Sequence, residues 1–154
     1  MVSVIDDEAW MREAIHLALH AEEEGEVPVG AILVLDNKRI AQGWNRPVLT
    51  HDPTAHAEIQ VLQDAGKALG NYRLPEATLY VTLEPCTMCA GAMIHARIKR
   101  LVFGAYDPGT GTIESVDQIF DRPHHNHKVE YRGGVLQDEC SGLLKSFFEK
   151  RRNK

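Results

Sequence analysis

Apolar residues recur at helical spacing over the first part of the chain and then form short continuous runs. The helical spacing indicates an amphipathic first helix that begins at Asp6 or Asp7 and ends at Gly25. Residues 29–35 and 40–44 are apolar runs on either side of the polar residues 36–39, a pattern that predicts two strands joined by a turn. The stripe of the first helix comprises Trp10, Met11, Ala14, Ile15, Ala18 and Ala21.

The rest of the chain alternates between apolar runs and helical segments. Asp52 and Pro53 predict the start of a helix that carries His56 and Glu58, because a capping residue followed by proline is typical of a first turn. Since helices lie between strands, we predict an α/β sandwich with a sheet covered on both faces, in a single domain of residues 1–154. Further strands are predicted over residues 77–83 and 100–105 and near 128–131, and further helices from Pro85, near 115–120 and over 136–151.

Composition indicates a globular protein without a membrane anchor. The chain has 154 residues, of which 44% are apolar and 25% are charged. The longest apolar run, residues 29–35, is too short to cross a bilayer, and the acidic start differs from a secretory signal. Three cysteines, two of them in a Cys-x-x-Cys pattern, favour metal binding in a reducing compartment over disulfides. We therefore expect a cytoplasmic location.

The net charge of −5 gives no overall basic signature for nucleic-acid binding. The charges are nevertheless uneven, because acidic residues crowd the first helix and basic residues gather late in the chain. A local basic face can contact phosphates on an acidic protein, although a solvated face of the last helix explains the same pattern. The late basic residues are Arg97, Lys99, Arg100, Arg122, Lys128, Lys145, Lys150, Arg151, Arg152 and Lys154.

A split group of metal-ligand residues carries the chemistry. Cys86 and Cys89 are three positions apart, so on a helix they share one face, and His56 supplies an imidazole thirty residues earlier. Three protein ligands leave one coordination position open, which separates a catalytic zinc site from a structural one. Glu58 is a candidate proton carrier, but its spacing from His56 does not by itself place it at the metal, and a surface glutamate remains the alternative.

These residues resemble the zinc nucleobase deaminases, in which a His-x-Glu pattern precedes Pro-Cys-x-x-Cys. The resemblance covers nearly the whole chain and is most specific for the bacterial tRNA adenosine deaminases. The matching segments are residues 26–31 (EVPVGA), 43–47 (GWNRP), 51–58 (HDPTAHAE), 71–74 (NYRL), 77–86 (ATLYVTLEPC), 88–95 (MCAGAMIH) and 147–152 (FFEKRR).

The resemblance implies a cytidine deaminase-like fold, a three-layer α/β/α sandwich with a central five-stranded mixed sheet. It implies hydrolytic deamination of the wobble adenosine to inosine in a tRNA anticodon, by water that zinc activates. One zinc ion per subunit would be held by His56, Cys86 and Cys89, and Glu58 would relay the protons. The implied partners are a tRNA anticodon stem-loop, arginine tRNA being the expected species, and a second copy of the chain.

The resemblance also implies a set of substrate-binding residues, each with a plainer reading. Asn45 resembles the residue that binds the flipped adenosine, yet by local sequence it is a turn asparagine. Ala105 and Asp107 follow a strand and would contact the anticodon backbone, or form an ordinary loop. Pro108 and Gly109 stand where many relatives carry a lysine, so the footprint on tRNA differs here.

The last helix offers further RNA contacts. Phe148 is one position off the apolar stripe and precedes Arg151 and Arg152 by three and four positions, so its ring could stack on a base, and the resemblance implies that it contacts RNA together with these arginines. Phe147 and Cys140 continue the stripe and are predicted to be buried.

The remaining histidines have no assigned chemistry. His16 and His20 are expected on a solvated face, and His95 is expected to be structural. The cluster of His124, His125 and His127 is expected to form a loop edge near RNA, with a second metal as the alternative.

Two other functions remain open on sequence grounds. A deaminase of the same fold that acts on free guanine, cytosine or a nucleotide would carry the same zinc pattern. A non-catalytic, zinc-stabilised RNA-binding module is the second alternative, which Glu58 argues against. Residues 88–98 are apolar nearly all round, so the helix that they form is expected to be buried on two sides, the second against another copy of the chain.

Overall fold

Five strands form one mixed sheet in the order β2-β1-β3-β4-β5. β1 runs antiparallel to both β2 and β3, whereas β3, β4 and β5 are parallel to one another. The computed structural model describes residues 6–152, so Lys154 of the basic tail and residues 1–5 at the start of the chain lie outside the described residues. The strands are β1 (Gly30–Leu35), β2 (Lys38–Trp44), β3 (Thr78–Leu83), β4 (Arg100–Ala105) and β5 (Glu130–Arg132).

Helices cover both faces of this sheet. The described helices are α1 (Asp7–Glu23), α2 (Pro47–Thr50), α3 (Ala57–Leu69), α4 (Thr87–Ala96) and α5 (Gln137–Arg152), with a short 3₁₀ turn at Ile119–Asp121. Side chains alternate between faces along a strand, so Ile32 packs with Met11 of α1 while Leu33 packs with Val61 of α3. Cys140 of α5 lies in the same apolar layer as Met11. The predicted sandwich around a five-stranded mixed sheet is therefore confirmed.

The turn between β1 and β2 is tighter than the sequence pattern indicated. Asp36 and Asn37 both have positive φ, at 53° and 59°, which is the geometry of a two-residue type I′ hairpin turn. Lys38 and Arg39 consequently belong to β2, where Lys38 is opposite Leu35.

The expected helix start at Asp52 and Pro53 is wrong. The Asp52 carboxylate accepts hydrogen bonds from the amide and hydroxyl of Thr54, at 2.8 and 2.7 Å, and so forms a local turn instead of a cap. α3 begins at Ala57, directly after His56. Sequence analysis also missed α2, where Pro47 occupies the first helical position.

Two predictions in the second half of the chain are also corrected. The short helix predicted near residues 115–120 is reduced to the 3₁₀ turn at Ile119–Asp121, because the backbone around Ser115 turns to donate hydrogen bonds to the carboxylate of Glu84. The last strand occupies Glu130–Arg132 instead of residues 128–131. No helix within residues 6–152 has the length and hydropathy that spanning a membrane requires.

A buried carboxylate ties α1 to the sheet at the end remote from the cysteines. Asp7 accepts a hydrogen bond from the Tyr80 hydroxyl at 2.7 Å and two from the Arg100 guanidinium at 2.9 and 2.6 Å. Arg132 of β5 adds a fourth at 2.8 Å. Burial alone would raise the pKa of Asp7, but the hydrogen bonds from Arg100, Tyr80 and Arg132 lower it below its usual value.

Candidate metal and catalytic site

Two helix N-termini bring the predicted metal ligands together. His56 is the N-cap of α3 and Cys86 is the N-cap of α4, and neither side chain caps its own helix. Cys89 lies in the first turn of α4 and is fully buried. Nδ1 of His56 lies 3.7 Å from Sγ of Cys86 and 3.5 Å from Sγ of Cys89. Both thiols therefore face the same imidazole nitrogen.

These distances fit a tetrahedral zinc ion. Zinc bonds of about 2.3 Å to sulfur and about 2.0–2.1 Å to nitrogen place the two ligand atoms roughly 3.5 Å apart at a tetrahedral angle. All three ligand atoms lie within 4.8 Å of one another, and this is the only such group of three or more among residues 6–152. The residues present thus match a three-ligand site with one open position, and Nδ1 is the nitrogen of His56 that would bind.

The two thiols and the imidazole shift one another's pKa values. Cys86 has its pKa lowered to about 4, first because the Cys89 thiol donates to its thiolate and also because His56 lies beside it. The same interaction, together with burial, raises the pKa of Cys89. The hydrogen bond to Cys86 raises the pKa of His56. These interactions favour the thiolate form of Cys86, which is the form that binds a metal ion.

Glu58 lies in the first turn of α3 and is 96% buried, with a relative exposure of 4%. Burial raises its pKa to about 7, and the neighbouring His56 opposes this shift. Glu58 lines a cleft of about 130 Å³ together with His56 and Cys86. A carboxylate in this position is not the surface glutamate that the sequence left as an alternative.

Asn45 lines the same cleft and also holds α3 in place. Its side-chain oxygen accepts a hydrogen bond of 2.9 Å from the backbone N–H of Ala57, the first residue of the helix. The amide oxygen thus satisfies a donor that His56 leaves free at the start of α3. The side-chain oxygen of Asn45 is therefore occupied by a hydrogen bond within the protein, and its NH₂ group can donate a hydrogen bond to a ligand.

The loop after β4 forms the opposite wall of the cleft. Asp107 and Thr110 line the cleft, and the Asp107 carboxylate accepts hydrogen bonds from the amides of Gly109 and Thr110 and from the Thr110 hydroxyl. Ala105 is buried at the end of β4, where it also borders a neighbouring groove. The structure therefore brings Asn45 and Asp107 to opposite walls of one cleft.

A buried carboxylate that the sequence analysis missed supports this loop. Glu84 follows β3 directly, is 2% exposed, and accepts five hydrogen bonds from the loop of residues 107–115. Burial alone would raise its pKa, but the backbone N–H of Glu114 and the other donors lower it. In the sequence it is one glutamate between a strand and Pro85, so nothing in that pattern distinguishes it from a solvated residue.

The last helix borders a groove of about 540 Å³ next to the cleft. Phe148 is 44% exposed and lines this groove, as do Arg152 and the cleft residue Asp107. Arg151 is turned away, since its guanidinium donates to the Gly25 carbonyl at 2.8 Å and stacks over the Phe147 ring at 4.7 Å. Phe148 and Arg152 therefore share a surface that Arg151 does not line.

The other predicted residues have mostly plain structural positions. Phe147 and Cys140 are buried, as predicted, with exposures of 6% and 1%. His16 and His20 are exposed, so the predicted solvated face of α1 is confirmed. His95 of α4, which was expected to be structural, is also exposed. The ring of His127 lies 2.7 Å from the Ile98 carbonyl, and His124 packs on His125. These histidines do not form a three-ligand metal group in the described part of the chain.

Comparisons with known proteins agree with this geometry. The family of MafB19-like deaminases matches residues 5–152. The tRNA-specific adenosine deaminase of Haemophilus influenzae is 56% identical over 147 residues, which cover 95% of this chain and 85% of that protein.

Solved structures place the chain in the same group. A structure from studies of A-to-I editing by tRNA:A34 deaminases at the wobble position has a TM-score of 0.86 and 48% identity, over 88% of this chain and 99% of the other. The guanine deaminase of Nitrosomonas europaea is more distant, with a TM-score of 0.77 and 26% identity over 96% of this chain and 86% of that one. This chain therefore belongs to the deaminase family and, within it, to the tRNA-specific adenosine deaminases.

Proposed function

We propose that this protein converts the wobble adenosine of a tRNA anticodon to inosine and ammonia by hydrolysis. The observation that carries the proposal is a buried carboxylate, Glu58, in one cleft with a His56, Cys86 and Cys89 group. The 56% identity to a tRNA-specific adenosine deaminase supports the choice of substrate. A non-catalytic zinc module has no use for such a buried carboxylate beside an open ligand position.

His56, Cys86 and Cys89 would hold one zinc ion. Zinc bound by three protein ligands lowers the pKa of a water molecule in the open position and makes it a nucleophile near neutral pH. Glu58 would remove one proton from the attacking water and pass it to the adenine ring nitrogen, and it would then take the second proton from the oxygen added at C6 and give it to the departing amine. Water adds its oxygen at C6 and the exocyclic nitrogen leaves as ammonia, so atoms and protons balance.

Residues around the cleft would bind the nucleotide. The NH₂ group of Asn45 can donate to the flipped base, because its oxygen is already held by Ala57. Asp107 and Ala105 would contact the anticodon from the opposite wall. Phe148 can stack on a neighbouring base and Arg152 can neutralise a phosphate in the adjoining groove. Arg151 would act on RNA only after releasing the Gly25 carbonyl.

The RNA partner proposed here is the anticodon stem-loop of arginine tRNA, in the cytoplasm. We also propose a homodimer, for which α4 supplies the argument. Gly91 and Ala92 on its outer face remain half-buried in the single chain, and Ala92 borders an apolar groove of about 650 Å³ between α3 and α4. A second copy would cover this face, which residues 6–152 cover only in part.

One runner-up has support of its own. The likeness to a guanine deaminase shows that the same fold accommodates a free purine. The identity is about half that to the tRNA-specific enzyme, at 26% against 56%. Free guanine is therefore the second substrate to test.

The decisive experiment incubates the purified protein with an arginine-tRNA anticodon stem-loop that carries a wobble adenosine. Inosine is read as an A-to-G change on reverse transcription, and zinc is measured in every sample. Glu58→Ala should reduce the rate about 10²–10⁴-fold, the usual contribution of general acid–base catalysis, and retain its zinc. Asp64→Ala is the matched control, because Asp64 is an exposed carboxylate on the same helix, and it should keep full activity.

Two outcomes would contradict the proposal. Ammonia release from free guanine without inosine in the stem-loop would favour the runner-up. Zinc binding without turnover of either substrate would point to a non-catalytic module. Loss of zinc in Glu58→Ala would instead show that Glu58 supports the metal site.

A further inference from the structure

Glu84 collects an unusual number of hydrogen-bond donors for one side chain. It is buried at the end of β3, and its two carboxylate oxygens face the loop of residues 107–115. Oε2 accepts from the backbone amides of Ile113, Glu114 and Ser115 at 3.1, 2.8 and 2.9 Å, and Oε1 accepts from the Asp107 amide at 3.0 Å and from the Ser115 hydroxyl. Both ends of the loop are thus fastened to one carboxylate.

The middle of the same loop forms a wall of the catalytic cleft. Asp107 and Thr110 line the cleft opposite His56 and Glu58. Asp107 organises this part of the loop through three hydrogen bonds to Gly109 and Thr110. Since Glu84 holds the amide of Asp107, the position of this wall depends on the Glu84 carboxylate.

A different functional group at position 84, or a larger residue at position 111, would disturb this contact. Four of the five partners of Glu84 are backbone amides, which can only donate, so the NH₂ group of a glutamine at this position would face at least one N–H and lose its hydrogen bond. Gly111 packs directly on the carboxylate and on the Asp107 backbone, because a Cβ there would lie 2.3 Å from Oε1 of Glu84, 2.4 Å from its Cδ and 2.6 Å from the Asp107 carbonyl oxygen. An alanine at 111 would therefore displace the contact between the Glu84 carboxylate and the loop without changing the charge.

We propose that Glu84 is a positioning residue for deamination. It holds the wall formed by Asp107 and Thr110 in the position that the bound base requires. This inference rests on the proposed function. Glu84 also borders the cleft, but both of its carboxylate oxygens accept hydrogen bonds from the loop, so it acts through the loop. An error of about 1 Å in the position of a bound reactant can cost about 100-fold in rate, so displacement of this wall should lower turnover even when the metal site is intact.

The test compares three variants on the anticodon stem-loop at a temperature where each is folded. Glu84→Gln and Gly111→Ala disturb the same contact by different routes, and both should lower kcat by about 10- to 100-fold while zinc content stays at the wild-type level. Asp7→Asn is the matched control. It removes a buried carboxylate that also accepts several hydrogen bonds, at the far end of the sheet. It should lower Tm but leave kcat unchanged.

The outcomes separate positioning from simple stabilisation. A fall in kcat in Glu84→Gln and Gly111→Ala, but not in Asp7→Asn at a similar loss of Tm, supports the proposal. An unchanged kcat in Glu84→Gln, or loss of zinc from it, would overturn the proposal. If Glu84→Gln does not fold, Ser115→Ala removes one donor only and should give a smaller fall in kcat, whereas an unchanged kcat would overturn the inference. An inactive wild-type protein would instead reject the proposed function.

Discussion

The side-chain amide of Asn45 has two ends, and the fold uses one of them. Its oxygen accepts from the Ala57 amide at the start of α3, which fixes the NH₂ group toward the cleft. The sequence left two separate interpretations of Asn45, a turn residue and an adenosine contact. The structure supports a combined reading, because the same residue fastens the helix that carries Glu58.

Two substitutions of Asn45 can distinguish the role of its side-chain oxygen from the role of its NH₂ group. Asn45→Asp keeps an acceptor for Ala57 and removes the donor, so its Tm should stay near the wild-type value while kcat/KM falls by about tenfold or more, roughly 1.4 kcal/mol. Asn45→Ala removes both ends and should also lower stability, by about 1–3 kcal/mol, because the buried N–H of Ala57 loses its partner. Thermal melts and single-turnover assays measure the two effects. Full activity in Asn45→Asp would exclude the amide as a donor to substrate.

The residues of the site differ in how well their roles can be predicted from the sequence. His56, Cys86 and Cys89 are predictable because few other functions need an imidazole and two thiols at these spacings. Glu84 is not predictable in this way, since its five partners come from a loop that has no regular pattern. A buried acceptor is recognisable only after the donors around it have been placed in space.

At the scale of the elements, long periodic segments were predictable, and so was the start of α1, where Asp6 is the N-cap, whereas the start of α3 was not. α1, α3 and the core strands follow from their apolar spacing, and boundaries shifted where a side chain competed for the backbone, as Asp52 does. α2 was not predicted because a helix of four residues is too short to show a periodic pattern of apolar residues. It is held from outside by buried Glu26, which accepts from the amides of Val48 and Leu49 at 3.1 and 2.7 Å.

Close contact between α1 and β1 gives a test at this scale. A Cβ on Gly30 would lie 2.2 Å from the Ala14 carbonyl oxygen and 2.5 Å from the Ala18 amide, so the helix backbone rests directly on the strand. Gly30→Ala should destabilise the fold by about 1–3 kcal/mol through overpacking. At roughly 2–4 °C per kcal/mol for a chain of this size, calorimetry can resolve the change.

Gly142→Ala provides the control for this measurement. Gly142 lies in α5 and nothing surrounds its Cβ position within 4 Å. The substitution should stabilise the helix by about 0.5–1 kcal/mol, because alanine loses less conformational freedom than glycine. Equal Tm values for Gly30→Ala and the wild type would mean that α1 does not rest on β1 as closely as described.

At the scale of the whole molecule, the two sides of the sandwich differ in how they meet solvent. The α1 side presents the acidic residues of the first helix and the exposed His16 and His20. The α3 and α4 side presents an apolar groove with Tyr72 at 69% and Leu69 at 42% exposure near its edge. A large apolar surface of this kind is typical of an interface between proteins.

The proposed dimer predicts how a charge on this face changes the mass in solution. The wild-type protein should sediment as a dimer at micromolar concentration, and Ala92→Glu should sediment as a monomer, because a carboxylate at the half-buried Ala92 would be desolvated between the two copies. Leu19→Glu places the same charge on exposed Leu19 of α1 and should remain a dimer. Analytical ultracentrifugation measures the three masses, and thermal melts verify that each variant is folded. A monomeric wild type, or a dimeric Ala92→Glu, would mean that α4 is not the contact face and that its outer residues are open to solvent in the working enzyme.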